Sequence, residues 1–146
     1  MKRLVVFTCF WALLFATGAK PAPTFSGKGI QFSKDGLAKA LQTAKAQKKL
    51  VFIDVYATWC GPCMQLKWRT FPNKNAGQFF NANFVNLSLD GEKGEGLQLF
   101  RAYQLRAFPT LIILNSDGKP LLAAEGYMDT KTLIAFGKAA QAKQSE

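Results

Sequence analysis

The sequence predicts an α/β domain built as a three-layer sandwich, a central mixed sheet flanked by helices. Three observations predict it. Short apolar runs alternate along the chain with stretches of helical periodicity, the pattern of strand–helix–strand units. One run, Leu50–Tyr56, is apolar almost throughout, as a strand buried on both faces must be. Near the end, Asn115-Ser116-Asp117-Gly118 makes a turn between two apolar segments and adds an antiparallel hairpin to a parallel core.

The elements follow in order β-α-β-α-β-α-β-β-α. Residues 20–29, rich in Pro and Gly, form a flexible lead-in. Ile30–Phe32 is a short strand. From Asp35 to Gln47, Leu37, Ala40, Leu41 and Ala44 recur at helical spacing, with Ser33 or Asp35 placed to cap the helix start. The strand Leu50–Tyr56 carries one anomaly, the acid Asp54. A helix runs from the cysteine pair to about Thr70, where Pro72 interrupts it, and residues 75–81 resume it. Phe84–Leu89 is a strand, Asp90–Gly96 a polar glycine-rich loop, and Leu97–Tyr103 a short helix. Thr110–Leu114, entered through Pro109, and Pro120–Glu125 are the hairpin strands. Lys131–Ala142 closes the chain as a helix with Leu133, Ile134, Phe136 and Gly137 on or near its buried side.

Composition narrows the function. The chain has 146 residues, enough for one domain, and 49% hydrophobic content, enough for a core. Residues 1–19 read as a secretory signal peptide. Lys2 and Arg3 precede the apolar run Leu4–Phe15, and small residues Ala16 to Ala19 follow it. That run is shorter than the ~20 apolar residues a spanning helix needs. Cys9 sits inside it, not at a cleavage point, which excludes a lipoprotein signal. Removal leaves residues 20–146, with residues 30–146 as the folded domain, two cysteines, Cys60 and Cys63, and a net charge lowered from +10 to +8 as Lys2 and Arg3 leave. Lys and Arg are scattered with no long run, so the positive charge reads as a solvated surface and not a nucleic-acid site. The destination is outside the cytoplasm.

Cys60 and Cys63, separated by Gly61-Pro62, stand after the buried strand and at the start of a helix. Pro62 loses nothing in the first helical turn and already has the right φ. Free backbone N–H groups and the positive end of the helix dipole stabilise an anion there, so Cys60 is the expected nucleophilic thiolate. Cys63 lies about one turn on, within reach of Cys60, and can resolve a mixed disulfide. Half a zinc site is the first competing explanation. Zinc wants four ligands, and the domain has no other Cys and the chain no His. A structural disulfide is the second, but so small a loop constrains the unfolded chain little. A chance pair in the core is the third, and it ignores both the Gly-Pro spacer and the strand-to-helix position. No metal and no cofactor is expected beyond the redox-active disulfide itself.

With Trp59-Cys60-Gly61-Pro62-Cys63 preceded by Val51 to Thr58, the chain resembles the thioredoxin family from about Ile30 to Gln141. The resemblance implies the thioredoxin fold. It makes Phe108-Pro109-Thr110 the cis-proline segment, puts Gly118 and Gly126 at the family's later glycines, and makes Asp54 the buried proton acceptor for Cys63, through water. In such relatives an extended substrate segment pairs with the backbone before the proline, so Trp59, Gly61, Pro62, Phe108, Pro109 and Gly126 are the implied substrate-binding residues. Trp59 is an apolar wall beside Cys60 in this reading, with simple core packing as the alternative. Phe108 replaces a smaller aliphatic residue and makes the groove narrower or more apolar. Asn86 stands where the family carries a Lys near the acid, leaving Asp54 without a cationic neighbour and titrating higher. Met64-Gln65-Leu66 replaces a segment where cytosolic relatives usually carry Lys, which bears on substrate recognition.

The segments Lys67–Asn73 and Asp90–Gly96 look more like exported relatives, resembling the soluble domain of thiol-reducing membrane transporters. The implied function is reduction of protein disulfides by a monomer, with a membrane thiol transporter as electron donor. The alternatives are an apocytochrome c thiol reductase, a disulfide oxidase, or a binding module that keeps the fold without turnover. The last is expected to have lost a cysteine or Pro109, and both are present.

Overall fold

The computed structural model describes residues 28–145. The expected signal peptide, and the lead-in up to residue 27, lie outside the described residues. Five helices, α1 (Leu37–Gln47), α2 (Gly61–Gln65), α3 (Lys74–Asn83), α4 (Gly94–Ala102) and α5 (Thr130–Gln144), surround four strands, β1 (Leu50–Tyr56), β2 (Phe84–Asp90), β3 (Thr110–Leu114) and β4 (Pro120–Glu125). The sheet order is β2-β1-β3-β4. β1 and β2 are parallel, whereas β1–β3 and β3–β4 are antiparallel. The expected parallel core therefore amounts to one strand pair. The chain leaves β2 and enters β3 at the same end of the sheet but on the other side of β1, so β2 and β3 run antiparallel and the connection through α4 passes over β1.

Period-2 alternation in β1 divides the core into the two faces of a sandwich. Leu50 and Phe52 join Leu66, Phe80, Phe84, Leu111, Ile113 and Leu133 beneath α2, α3 and α5. Val51, Ile53 and Val55 join Ala40, Ala44, Leu87, Leu99, Ile112 and Leu114 beneath α1 and α4. β1 is sealed on both sides, which is why its sequence shows no polar alternation apart from Asp54.

Several boundaries differ from the sequence expectations, each for a local reason. The expected strand Ile30–Phe32 shrinks to a single bridge between Phe32 and Asn86. Its donors are spent elsewhere, the Ile30 N–H on Phe71 O at 2.7 Å and the Gln31 N–H on Asn81 Oδ1 at 2.8 Å. Neither Ser33 nor Asp35 caps α1. They bond each other, Gly36 is the N-cap, and the Glu95 carboxylate accepts the Leu37 N–H at 2.9 Å from 58 residues away. The helix expected to Thr70 keeps α-helical form only to Gln65. A π-helical turn, Leu66–Thr70, follows, closed by the Phe71 N–H on Leu66 O at 2.8 Å. Asn73 then caps α3, accepting from the Asn75 N–H at 2.9 Å. α4 begins three residues before the expected Leu97, so much of the supposed loop is helical. Gly96 allows this, because a Cβ there would strike the backbone of Asp90.

Candidate redox site

The register fixes where the chemistry lies. Thr110 pairs with Val55 and with Glu125, and Tyr56 with Asp90. β1 and β4 thus end, β2 ends and β3 begins at one edge of the sandwich. The segments attached there are Ala57–Cys63, Gly91–Glu92, Phe108–Pro109 and Gly126. Residues spread over 70 positions of sequence are brought together by strand direction alone.

Cys60 and Cys63 form a disulfide. Cys60 has extended backbone and is the N-cap of α2, its Sγ accepting the Cys63 N–H at 3.2 Å. Pro62 is within the first two residues of the helix, where it forfeits no bond. A sulfur so placed receives a backbone donor and the positive end of the following helix, both of which favour a thiolate once the bond is reduced. The pair is nearly closed off from solvent, at 2% and 6% exposure, and packs with Ala57, Tyr56 and Phe108. Gly61 is open, with nothing near the position of a Cβ.

Trp59 is not a core residue. It is 71% exposed, its ring meets Phe108 edge-on at 6.0 Å, and its indole N–H donates to the Glu92 carboxylate at 3.1 Å. Phe108 in turn lies 4.8 Å from Phe100 and packs on the cysteine pair. Gly91 makes room for it, since a Cβ there would collide with the Phe108 ring and with Val55. The larger residue at 108 is thus accommodated by an absent side chain at 91. Pro109 is buried behind a cis peptide bond from Phe108, and its carbonyl accepts the Gly126 N–H at 2.8 Å. Gly126 adopts φ +91 with open space beside it, a conformation that favours glycine.

Asp54 lies on the sheet face of Phe52 and Leu111, two residues closer to the cysteine edge than Phe52. Leu66 packs on that face, and Cys63, three residues before it, shares the buried stripe of the same helical stretch. Cys63 and Leu66 are thus buried on one side of the same helical stretch. The carboxyl group is 5% exposed. Burial pushes its pKa up to about 7, opposed by a hydrogen bond that Ser88 Oγ donates to Oδ2 at 2.9 Å. Oδ1 has no partner among the described residues. Asn86 stands opposite Phe52, and its amide donates to Gln31 O and Asn81 Oδ1. The residue beside the acid is Ser88, which sequence reading passed over, as it did Gly91 and Glu92. Ser88 was findable by counting the parallel register from Leu50–Phe84. Glu92 and Gly91 carried no signal, because their partners are remote in sequence.

A buried cysteine pair capping a helix, next to a proline loop and a buried acid, defines a thiol–disulfide oxidoreductase. The model of the thioredoxin-like domain matches residues 37–141, and the chain belongs to that family. It is similar to the thiol:disulfide interchange protein DsbD of Vibrio cholerae, 34% identical over 100 residues, covering 64% of this chain and 16% of that protein. The chain thus spans about a sixth of DsbD. It is 36% identical to thioredoxin-1 of Saccharomyces cerevisiae over 61% of its own length and 80% of the yeast protein. The solution structure of a candidate disulphide-isomerase from Bacteroides thetaiotaomicron superposes with a TM-score of 0.70 at 37% identity, covering 80% of this chain and 97% of that one. Among the described residues no cluster of His, Cys, Asp and Glu fit to hold a metal ion occurs.

Proposed function

We propose that the protein is an exported, periplasmic reductase of protein disulfides, kept reduced by a membrane thiol transporter. The observation that carries the reading is the disulfide at the helix start, with Cys60 Sγ already accepting the Cys63 N–H. Cys60 as a thiolate attacks a target disulfide. Cys63 then attacks Cys60, Asp54 takes the Cys63 proton, and the reduced target leaves. The target lies extended against the backbone before Pro109 and is bounded by Trp59, Phe108 and Gly126. The similarity to DsbD supports the transporter as donor, and the apolar run Leu4–Phe15 supports export.

The couple is expected to be reducing, closer to thioredoxin at about −270 mV than to strong oxidants at about −120 mV. Oxidants of this chemistry gain from extra stabilisation of the thiolate. Here Gly61 and Pro62 occupy the gap, the chain has no His, and the buried Asp54 disfavours further negative charge. Equilibration against glutathione, followed by Trp fluorescence, measures it. A value near the oxidant end would replace the reductase by an oxidase. Export has its own check. The mature protein is expected to begin near Lys20, and native mass spectrometry that finds Met1 to Ala19 retained would replace the signal with an anchor.

A further inference from the structure

The two oxygens of the Asp54 carboxyl group have unequal surroundings. Oδ2 accepts the Ser88 hydroxyl at 2.9 Å, while Oδ1 is buried without a partner among the described residues. From this inequality we infer that Ser88 is a positioning residue for the proton transfer, holding Oδ2 so that Oδ1 is the atom that takes the proton from Cys63. The inference rests on the reading of Asp54 as the proton acceptor.

Ser88 can play this part because of where β2 sits. The parallel register places its Cα directly opposite that of Asp54, so the short hydroxyl reaches Oδ2 without bending either strand. In the ionised acid the hydroxyl donates to a carboxylate oxygen, and in the neutral acid it donates to what is then the carbonyl oxygen. The bond survives both states provided the proton goes to Oδ1. Protonation at Oδ2 would force the Ser88 hydroxyl to turn away and seek a new acceptor in a half-buried place, at a cost the other oxygen avoids.

The strands beside Asp54 bring Ser88 from β2 and Leu111 from β3, and on the reading above Cys63 of α2 is the group whose proton it takes. Tyr56 is the titratable side chain two residues along the same face of β1, and the two ion pairs of the described residues, Lys45–Asp117 and Lys93–Asp90, leave Asp54 out. Among the described residues the Ser88 hydroxyl is the donor that stabilises the ionised acid against burial. In the balanced step, the Cys63 thiol gives its proton through water to Asp54 Oδ1 and its sulfur attacks Cys60 Sγ. The bond from Cys60 to the target sulfur breaks as the Cys60–Cys63 bond forms. The electron pair leaves with the target as a thiolate, and the proton on Oδ1 passes later to solvent.

The test separates the two chemical steps. In the full mature protein, single-turnover release of thionitrobenzoate from a mixed disulfide at Cys60 reports resolution across pH. Alkylation of Cys60 in a Cys63→Ser background reports the first attack. Ser88→Ala is expected to move the pH midpoint of resolution upward by about one unit, which is roughly tenfold slower release below that midpoint. Ser88→Thr, which keeps the hydroxyl, is expected to restore the midpoint, and Cys60 alkylation is expected to stay as it was. A Ser88→Ala midpoint equal to that of the unsubstituted protein overturns the inference. So does a shift that Ser88→Thr reproduces, since that would be packing and not the hydroxyl. Should Ser88→Ala fold poorly, the carbon-13 shift of the Asp54 carboxyl through a titration of Ser88→Thr and the unsubstituted protein gives the same comparison, with unequal midpoints counting against it. Asp54→Asn tells the layers apart. If it leaves the pH dependence of resolution unchanged, the reading of Asp54 fails, whatever Ser88 does.

Discussion

Cys60→Ser is expected to reduce turnover of a model protein disulfide to background, a loss on the order of a thousandfold or more. Serine keeps the shape and the cap to the Cys63 N–H, but its hydroxyl is not ionised near neutral pH and forms no disulfide. Cys63→Ser is expected to behave differently. The first attack survives, resolution is lost, and a mixed disulfide between Cys60 and the target accumulates, visible by mass spectrometry without reductant. The contrast between the two variants is the informative part. A purely structural disulfide would make them equivalent, and the loop closed by a separation of three residues is too small to add much stability. Full activity in Cys60→Ser, or trapping in Cys60→Ser in place of Cys63→Ser, would reverse the assignment of nucleophile.

Asp54→Asn is expected to make the protein more stable above neutral pH, by about 2–4 kcal/mol. The acid titrates at about 7 when folded against 3.8 in the ordinary case. Its folded value is raised, so its contribution to stability is fully present below 3.8 and is lost as pH rises through 7. Between the two values the folded chain holds a proton that the unfolded chain has released. Stability therefore falls with rising pH by up to about 1.4 kcal/mol per unit, and levels off above 7. The neutral amide removes this slope. It sacrifices part of the Ser88 interaction, which trims the gain. Denaturant unfolding of both proteins from pH 4 to 8 measures it. Curves that run parallel over that range would mean that the acid is not desolvated. A destabilising acid kept in the central strand is what the proposed role of Asp54 as proton acceptor requires.

Much of this was legible in the sequence because it is written in local terms. Leu50–Tyr56, Thr110–Leu114 and Pro120–Glu125 are strands with the residue limits that apolar runs and turn residues mark, and α5 differs from its expected span by one or two residues at each end. The Cys60-Gly61-Pro62-Cys63 spacing already contains its chemistry, since a helix start, a proline and one turn of separation are properties of neighbouring residues. The burial of Asp54 followed from a strand otherwise without polar positions.

The tertiary structure decided what depends on partners far along the chain. Glu95, not Ser33 or Asp35, serves the start of α1, because the approach of α4 was not encoded in the residues around Leu37. Ser88, not Asn86, is the neighbour of Asp54, because the β1–β2 register sets who stands opposite whom. Gly91 yields space to Phe108, and Glu92 holds Trp59 out in solvent, through contacts that neither residue announces alone. The physical reason is common to all four. Periodicity and capping preferences report what a segment does with its own backbone and with burial in general. The partner of a given side chain is set by strand register and helix docking, which only the assembled chain defines.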